Sequence, residues 1–88
     1  MNDSAAENRF NLAVEYEKAG DYMRALQEYV FLTDTETPHK SALVNLGSLY
    51  SRMGKLDSAM MCYNRAVSIE EDYLCWFNIG SLHYKKNE

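Results

Sequence analysis

Cys62, Cys75, His39 and His83 are the chain's only cysteines and histidines, and by type they are its candidates for nucleophile, base or soft metal ligand. The two cysteines form no C-x-x-C pair and have no His-rich neighbourhood, so the spacing that gathers ligands around zinc is absent. Cys75 and His83 are eight residues apart on one predicted helix. That is about 12 Å along its axis at 1.5 Å per residue, too far for a hydrogen-bonded nucleophile and base. His39 follows Pro38 at a predicted helix start, and no glycine-rich loop of the kind that cradles phosphate is present. No catalytic, cofactor or metal site is therefore expected, and the chain is read as no enzyme. Both cysteines are expected to be reduced, partly buried small hydrophobes.

What remains is what the chain can hold, and that depends on elements that recur. Shifting the sequence by 34 places superposes Asn11, Leu12, Tyr16, Gly20, Ala25 and Tyr29 on Asn45, Leu46, Tyr50, Gly54, Ala59 and Tyr63. A further shift of 33 carries Asn45–Tyr50 onto Asn78–His83. Two units and the first half of a third follow, with repeats at 6–39 and 40–72 and a half repeat or capping helix at 73–88, all in one domain over 1–88. Leu43, Leu46, Gly47 and Tyr50 stand at i, i+3, i+4 and i+7, the stripe of an amphipathic helix, and no stretch alternates with period two.

The spacing predicts helices over 4–19, 22–34, 38–53, 56–70 and 73–86. Gly20 and Gly54 are placed to end a helix in a left-handed conformation, and Asn87 holds the equivalent place. Ser4 with Glu7 reads as a capping box, Asp21 as a cap for the second helix, and Thr37 before Pro38 as a cap and first turn for the third. Small residues at Ala13, Gly47, Ala25 and Ala59 would let helices cross closely, and the tyrosines between them read as core.

These residues resemble the tetratricopeptide repeat, a helix pair with a bulky residue, Leu, a small residue and Tyr in its first helix, then Ala, an aromatic and Ala in its second. Leu43, Leu46, Gly47, Tyr50, Gly54, Ala59, Tyr63 and Ala66 supply a nearly full set. The resemblance implies an all-α, right-handed superhelical array, two full repeats plus one C-terminal helix, whose first helices line a concave groove for a protein partner. The chain departs from the pattern at Arg9, where a bulky apolar residue is usual, and at His83, which replaces the core Tyr and is read as a core or rim histidine. Trp76, Phe77, Ile79 and Tyr84 make the last helix apolar for a terminal cap.

On the groove implied by the resemblance, three rows of equivalent residues are the candidate peptide-binding site. Asn11, Asn45 and Asn78 could grip an extended backbone, since an amide both donates and accepts. Phe10, Val44 and Phe77 either offer apolar area to a ligand or pack between helices. Lys18, Arg52 and Lys85 close the first helices, where a cation also favours the negative helix end. Some relatives hold a terminal carboxylate with Lys and Asn, but Phe10, Val14 and Leu74 stand where those residues would be, so that clamp is not expected.

The chain is 47% hydrophobic and 25% charged, ordinary for a folded domain, and 88 residues can bury about 60 to 65% of the unfolded surface. The net charge is −4, with −5 over residues 1–37 (eight acidic, three basic) and +1 over 38–88 (five acidic, six basic). Phosphate contacts require a basic face, so no nucleic acid is expected as partner. No basic and apolar leader opens the sequence, and no apolar run reaches the roughly 20 residues of a membrane span. The expectation is a cytoplasmic adaptor or scaffold that binds a partner protein's extended segment without membrane contact. The alternative is a self-assembling module in which the last helix forms a weak homo-oligomer.

Overall fold

The computed structural model describes residues 3–69 and 73–86, and the side chains of residues 3, 4, 73–75 and 86 lie outside that description. Five helices follow one another: α1 (Asp3–Lys18), α2 (Tyr22–Thr33), α3 (Lys40–Arg52), α4 (Leu56–Ile69) and α5 (Tyr73–Lys86). No strand occurs among the described residues. The tightest packing is within the pairs α1/α2 and α3/α4; each helix also packs on the next along the chain, and α5 reaches back to α3. No helix among the described residues is long and apolar enough to cross a membrane.

The turns inside each pair follow from glycine. Gly20 and Gly54 have φ of 82° and 78°, a region nearly closed to residues with a Cβ. Each ends its helix in the same double bond: Gly20 N–H to Glu17 O (3.0 Å) with Asp21 N–H to Tyr16 O (2.9 Å), and Gly54 N–H to Ser51 O (3.1 Å) with Lys55 N–H to Tyr50 O (2.8 Å). Asp21 then caps α2, its Oδ1 accepting the N–H of Arg24 at 3.2 Å. Asn87 lies outside the described residues.

Two of the expected caps are corrected. Helix α1 already runs from Asp3, so Ser4 lies inside it, and Glu7 reaches across to His39 Nε2 at 3.1 Å instead of closing a capping box. Helix α3 begins at Lys40 with His39 as its cap, not at Thr37 and Pro38. The N–H of Thr37 donates back to Thr35 Oγ1 at 3.2 Å in the preceding loop, and the cap forms two residues later, at His39. His39 is extended (φ −68°, ψ 115°), and its Nδ1 accepts the N–H of Ala42 at 3.1 Å. With Nδ1 an acceptor, the ring proton sits on Nε2 and donates to Glu7. Residues 34–39 therefore form a loop, closed by His39 N–H on Leu32 O at 3.2 Å.

The core lies where the small residues stand. Ala13, Ala25, Ala42 and Leu49 are buried with Tyr29 and Leu46 between α1, α2 and α3; Ala59, Tyr63, Ile79 and Leu82 are buried between α3, α4 and α5. The outer edge of the first repeat differs from the interior ones. Leu12 is 43% exposed, whereas its equivalents Leu46 and Ile79 are 4% and 7% exposed, each covered by the helix pair before it. Arg9 suits that edge, because its guanidinium lies 3.9 Å from the centre of the Phe31 ring and pairs with Glu28 at 2.9 Å. His83 is exposed, contrary to its reading as a core or rim residue. Tyr50, its equivalent, is half-buried beneath the α3/α4 packing, and no described helix lies over α5 in that way.

Candidate functional site

The three asparagines stand on the first helices α1, α3 and α5, Asn11 exposed and Asn45 and Asn78 half-buried. Asn45 is held from beneath. Its Nδ2 donates to the Tyr29 hydroxyl (3.3 Å), which donates to Glu17 Oε1 (2.9 Å), and Glu17 Oε2 pairs with Arg52 Nη1 (3.0 Å). Side chains from α1, α2 and α3 thus form one chain of bonds. Burial pushes the Tyr29 hydroxyl up to about 12, with the Glu17 carboxylate acting the same way and the Asn45 bond against it. The hydroxyl therefore stays protonated and keeps the Asn45 amide oriented. Among the described residues the Oδ1 of Asn45 has no partner, and Asn11 and Asn78 make no side-chain hydrogen bond.

The apolar row divides. Phe10 is half-buried, stacked on His39 with ring centres 5.1 Å apart and tilted against Tyr29 at 6.2 Å, so most of it packs between helices. Val44 packs against Leu43, Ala66 and the α3/α4 core, whereas Phe77 is 58% exposed. The basic row divides too. Lys18 is exposed beside Glu15 at 3.8 Å, Arg52 is bound to Glu17, and Lys85 Nζ donates to Ser51 Oγ at 2.9 Å, tying α5 to α3. The structure thus gathers Asn45, Arg52 and Phe10 around Tyr29 and His39, while Asn11, Phe77 and Lys18 stand more openly.

Residues 41–73 match the family model of the tetratricopeptide repeat. That stretch, α3 and α4 with their flanks, is one tetratricopeptide repeat. No curated protein matches the chain. Within its repeats Cys62 is free and buried, its thiol pushed up to about 11 by burial, which keeps it a small hydrophobe. The Cys75 side chain lies outside the description.

The repeat pattern does not mark an open cleft of about 1110 Å³ lined by Ala6, Leu26, Val30, Phe31, Thr35 and His39. It belongs to α2 and the 34–39 loop, not to the asparagine row. The signal that could have pointed to it is Phe31, an aromatic where the second repeat has Arg65. That arginine instead donates to Thr33 O at 2.9 Å and closes the end of α2.

Proposed function

We propose that the chain is a protein-interaction module, an adaptor or scaffold that holds an extended partner segment across α1, α3 and α5. Tetratricopeptide repeats commonly serve protein–protein contact, and that supports the class of partner. The observation that carries the reading is Asn45: a half-buried amide, fixed by a buried tyrosine hydroxyl, with its carbonyl oxygen left for a ligand. An acceptor fixed in advance loses little freedom when a peptide N–H docks on it. Asn11 and Asn78, at the equivalent places, extend the grip in both directions. Phe77, with the exposed edges of Phe10 and Val44, supplies apolar area, and Lys18, Arg52 and Lys85 at the rim favour acidic side chains. Reading by backbone amides needs no acid–base chemistry, in keeping with a module that is not an enzyme.

The test uses a peptide selected from a random display library on the immobilised chain. Each lost hydrogen bond is worth roughly 0.5 to 1.5 kcal/mol net, so Asn45→Ala should weaken the selected peptide by about tenfold or less. The triple variant Asn11→Ala, Asn45→Ala, Asn78→Ala should weaken it considerably more. Tyr29 keeps its bond to Glu17 in these variants, so they should remain folded by circular dichroism. Equal affinities for wild type and triple variant in calorimetric titration would move the binding surface off these helices.

A further inference from the structure

Asn45 differs from its two equivalents in what holds it. Its amide bonds to the Tyr29 hydroxyl, whereas Asn11 and Asn78 make no side-chain hydrogen bond among the described residues. The tyrosine decides which way that amide faces. Tyr29 is fully buried, and its single hydroxyl hydrogen goes to Glu17 Oε1 at 2.9 Å. Glu17 is a carboxylate held by Arg52 at 3.0 Å, with a side chain only 14% exposed, and it can only accept. With its hydrogen committed to Glu17, the Tyr29 oxygen can only accept from Asn45. Nδ2 must therefore turn inward, 3.3 Å from that oxygen, and Oδ1 outward.

The opposite flip would set Oδ1 against the Tyr29 oxygen with no hydrogen between them. As it stands, the bonds all run one way, from Asn45 to Tyr29 to Glu17, and bonds in such a chain strengthen one another. Among the described residues no unpartnered side-chain oxygen of a half-buried residue is itself buried, so Oδ1 of Asn45 reaches solvent. It is an acceptor locked in place, whereas the amides of Asn11 and Asn78 are free to turn.

We propose that Asn45 requires a backbone N–H from the partner at one register of the bound segment, so that proline is barred there and tolerated beside Asn11 and Asn78. The inference rests on the asparagine row being the peptide groove, and adds to it which residue the groove refuses. Proline has no backbone N–H and would set its ring against Oδ1. An acceptor covered without a donor loses its water and gains nothing, which is the costly case for a polar group. The second hydrogen of Nδ2 can meet a peptide carbonyl, but every residue carries one, so that contact does not discriminate. Asn11 and Asn78 can turn either end of the amide to the segment and so offer a hydrogen where the segment has none. The partner is thus an extended segment whose central residue is not proline, with prolines allowed toward both ends.

The test replaces the amides of the library-selected peptide by esters, one residue at a time, which removes an N–H and keeps the shape of the chain. In calorimetric titration one central ester should raise the dissociation constant about tenfold against wild type and about threefold or less against Asn45→Ala. Every other ester should cost the same in both proteins, and sequenced peptides from the selection should lack proline at that central residue alone. Equal ester costs in wild type and Asn45→Ala at every position, or proline enriched at the central residue, would overturn the proposal; if the triple asparagine variant still weakens the peptide, the groove itself stands. A peptide indifferent to the triple variant removes the groove, and the proposal with it.

Discussion

Tyr29 ties three helices together through one oxygen, and its titration should be visible in the stability of the whole chain. Burial raises its hydroxyl from 10.0 to about 12, so the unfolded chain loses this proton first as pH rises. The folded state then binds more protons than the unfolded one, and stability falls with pH. This contribution is intact below pH 10 and is lost between pH 10 and about 12. Cys62, raised from 9.0 to about 11, begins a similar decline one unit lower. Tyr29→Phe should cost about 1 to 3 kcal/mol at pH 7 by stripping Asn45 and Glu17 of a partner. It should also lose less of its urea midpoint than wild type between pH 10 and 12; equal losses would mean the hydroxyl is not held as described. The asparagine row was legible from the 34-residue shift. The hydroxyl beneath it was not, because residues 17, 29, 45 and 52 meet only after three helices have packed.

At the scale of the helix, two glycines at equivalent places should respond oppositely to the same change. Gly47→Ala drives a methyl into the Tyr63 ring, which is buried and cannot swing away, so a loss of about 1 to 3 kcal/mol is expected. Gly80→Ala meets open space and should gain up to about 1 kcal/mol from helix propensity. Urea unfolding at low protein concentration measures both, and equal effects would show that α4 does not lie on α3 as described. Helix ends were readable where glycine sets them, at Gly20 and Gly54, since a positive φ is a property of the residue itself. The start of α3 was misread because a histidine is an uncommon cap. Its role depends on Glu7 and Phe10, which sit 32 and 29 residues earlier in the chain and fix the ring.

The molecule measures 40 × 28 × 18 Å, and its thin dimension is that of two helix layers at about 10 Å each. Among the described residues its core is not one body but three clusters that meet along α3, so its stability should grade along the chain as in other repeat arrays. Leu49 and Leu82 are both fully buried leucines, the first in the cluster of α1 to α3 and the second against α3 and α4 from α5. Leu49→Ala should lower global stability by about 2 to 5 kcal/mol. Leu82→Ala should mainly loosen α5, speeding its amide exchange while the amides of α3 keep most of their protection. Uniform acceleration across all five helices in Leu82→Ala would mean a single cooperative core. The period predicted the helix pairs and their order, but where one cluster ends and the next begins follows from burial.

The buried thiol of Cys62 gives the chain a clock. It shares a cluster with Tyr29, Leu32 and Leu46, where α2, α3 and α4 converge, and is only 6% exposed in a cleft of about 250 Å³, so a reagent too bulky for that cleft reaches it only when the helices part. In a Cys75→Ser background each labelling event at Cys62 therefore counts one parting of the first repeat from the second. The bend between repeats, which sets the spacing of Asn11, Asn45 and Asn78, can then be timed without adding any probe to the protein.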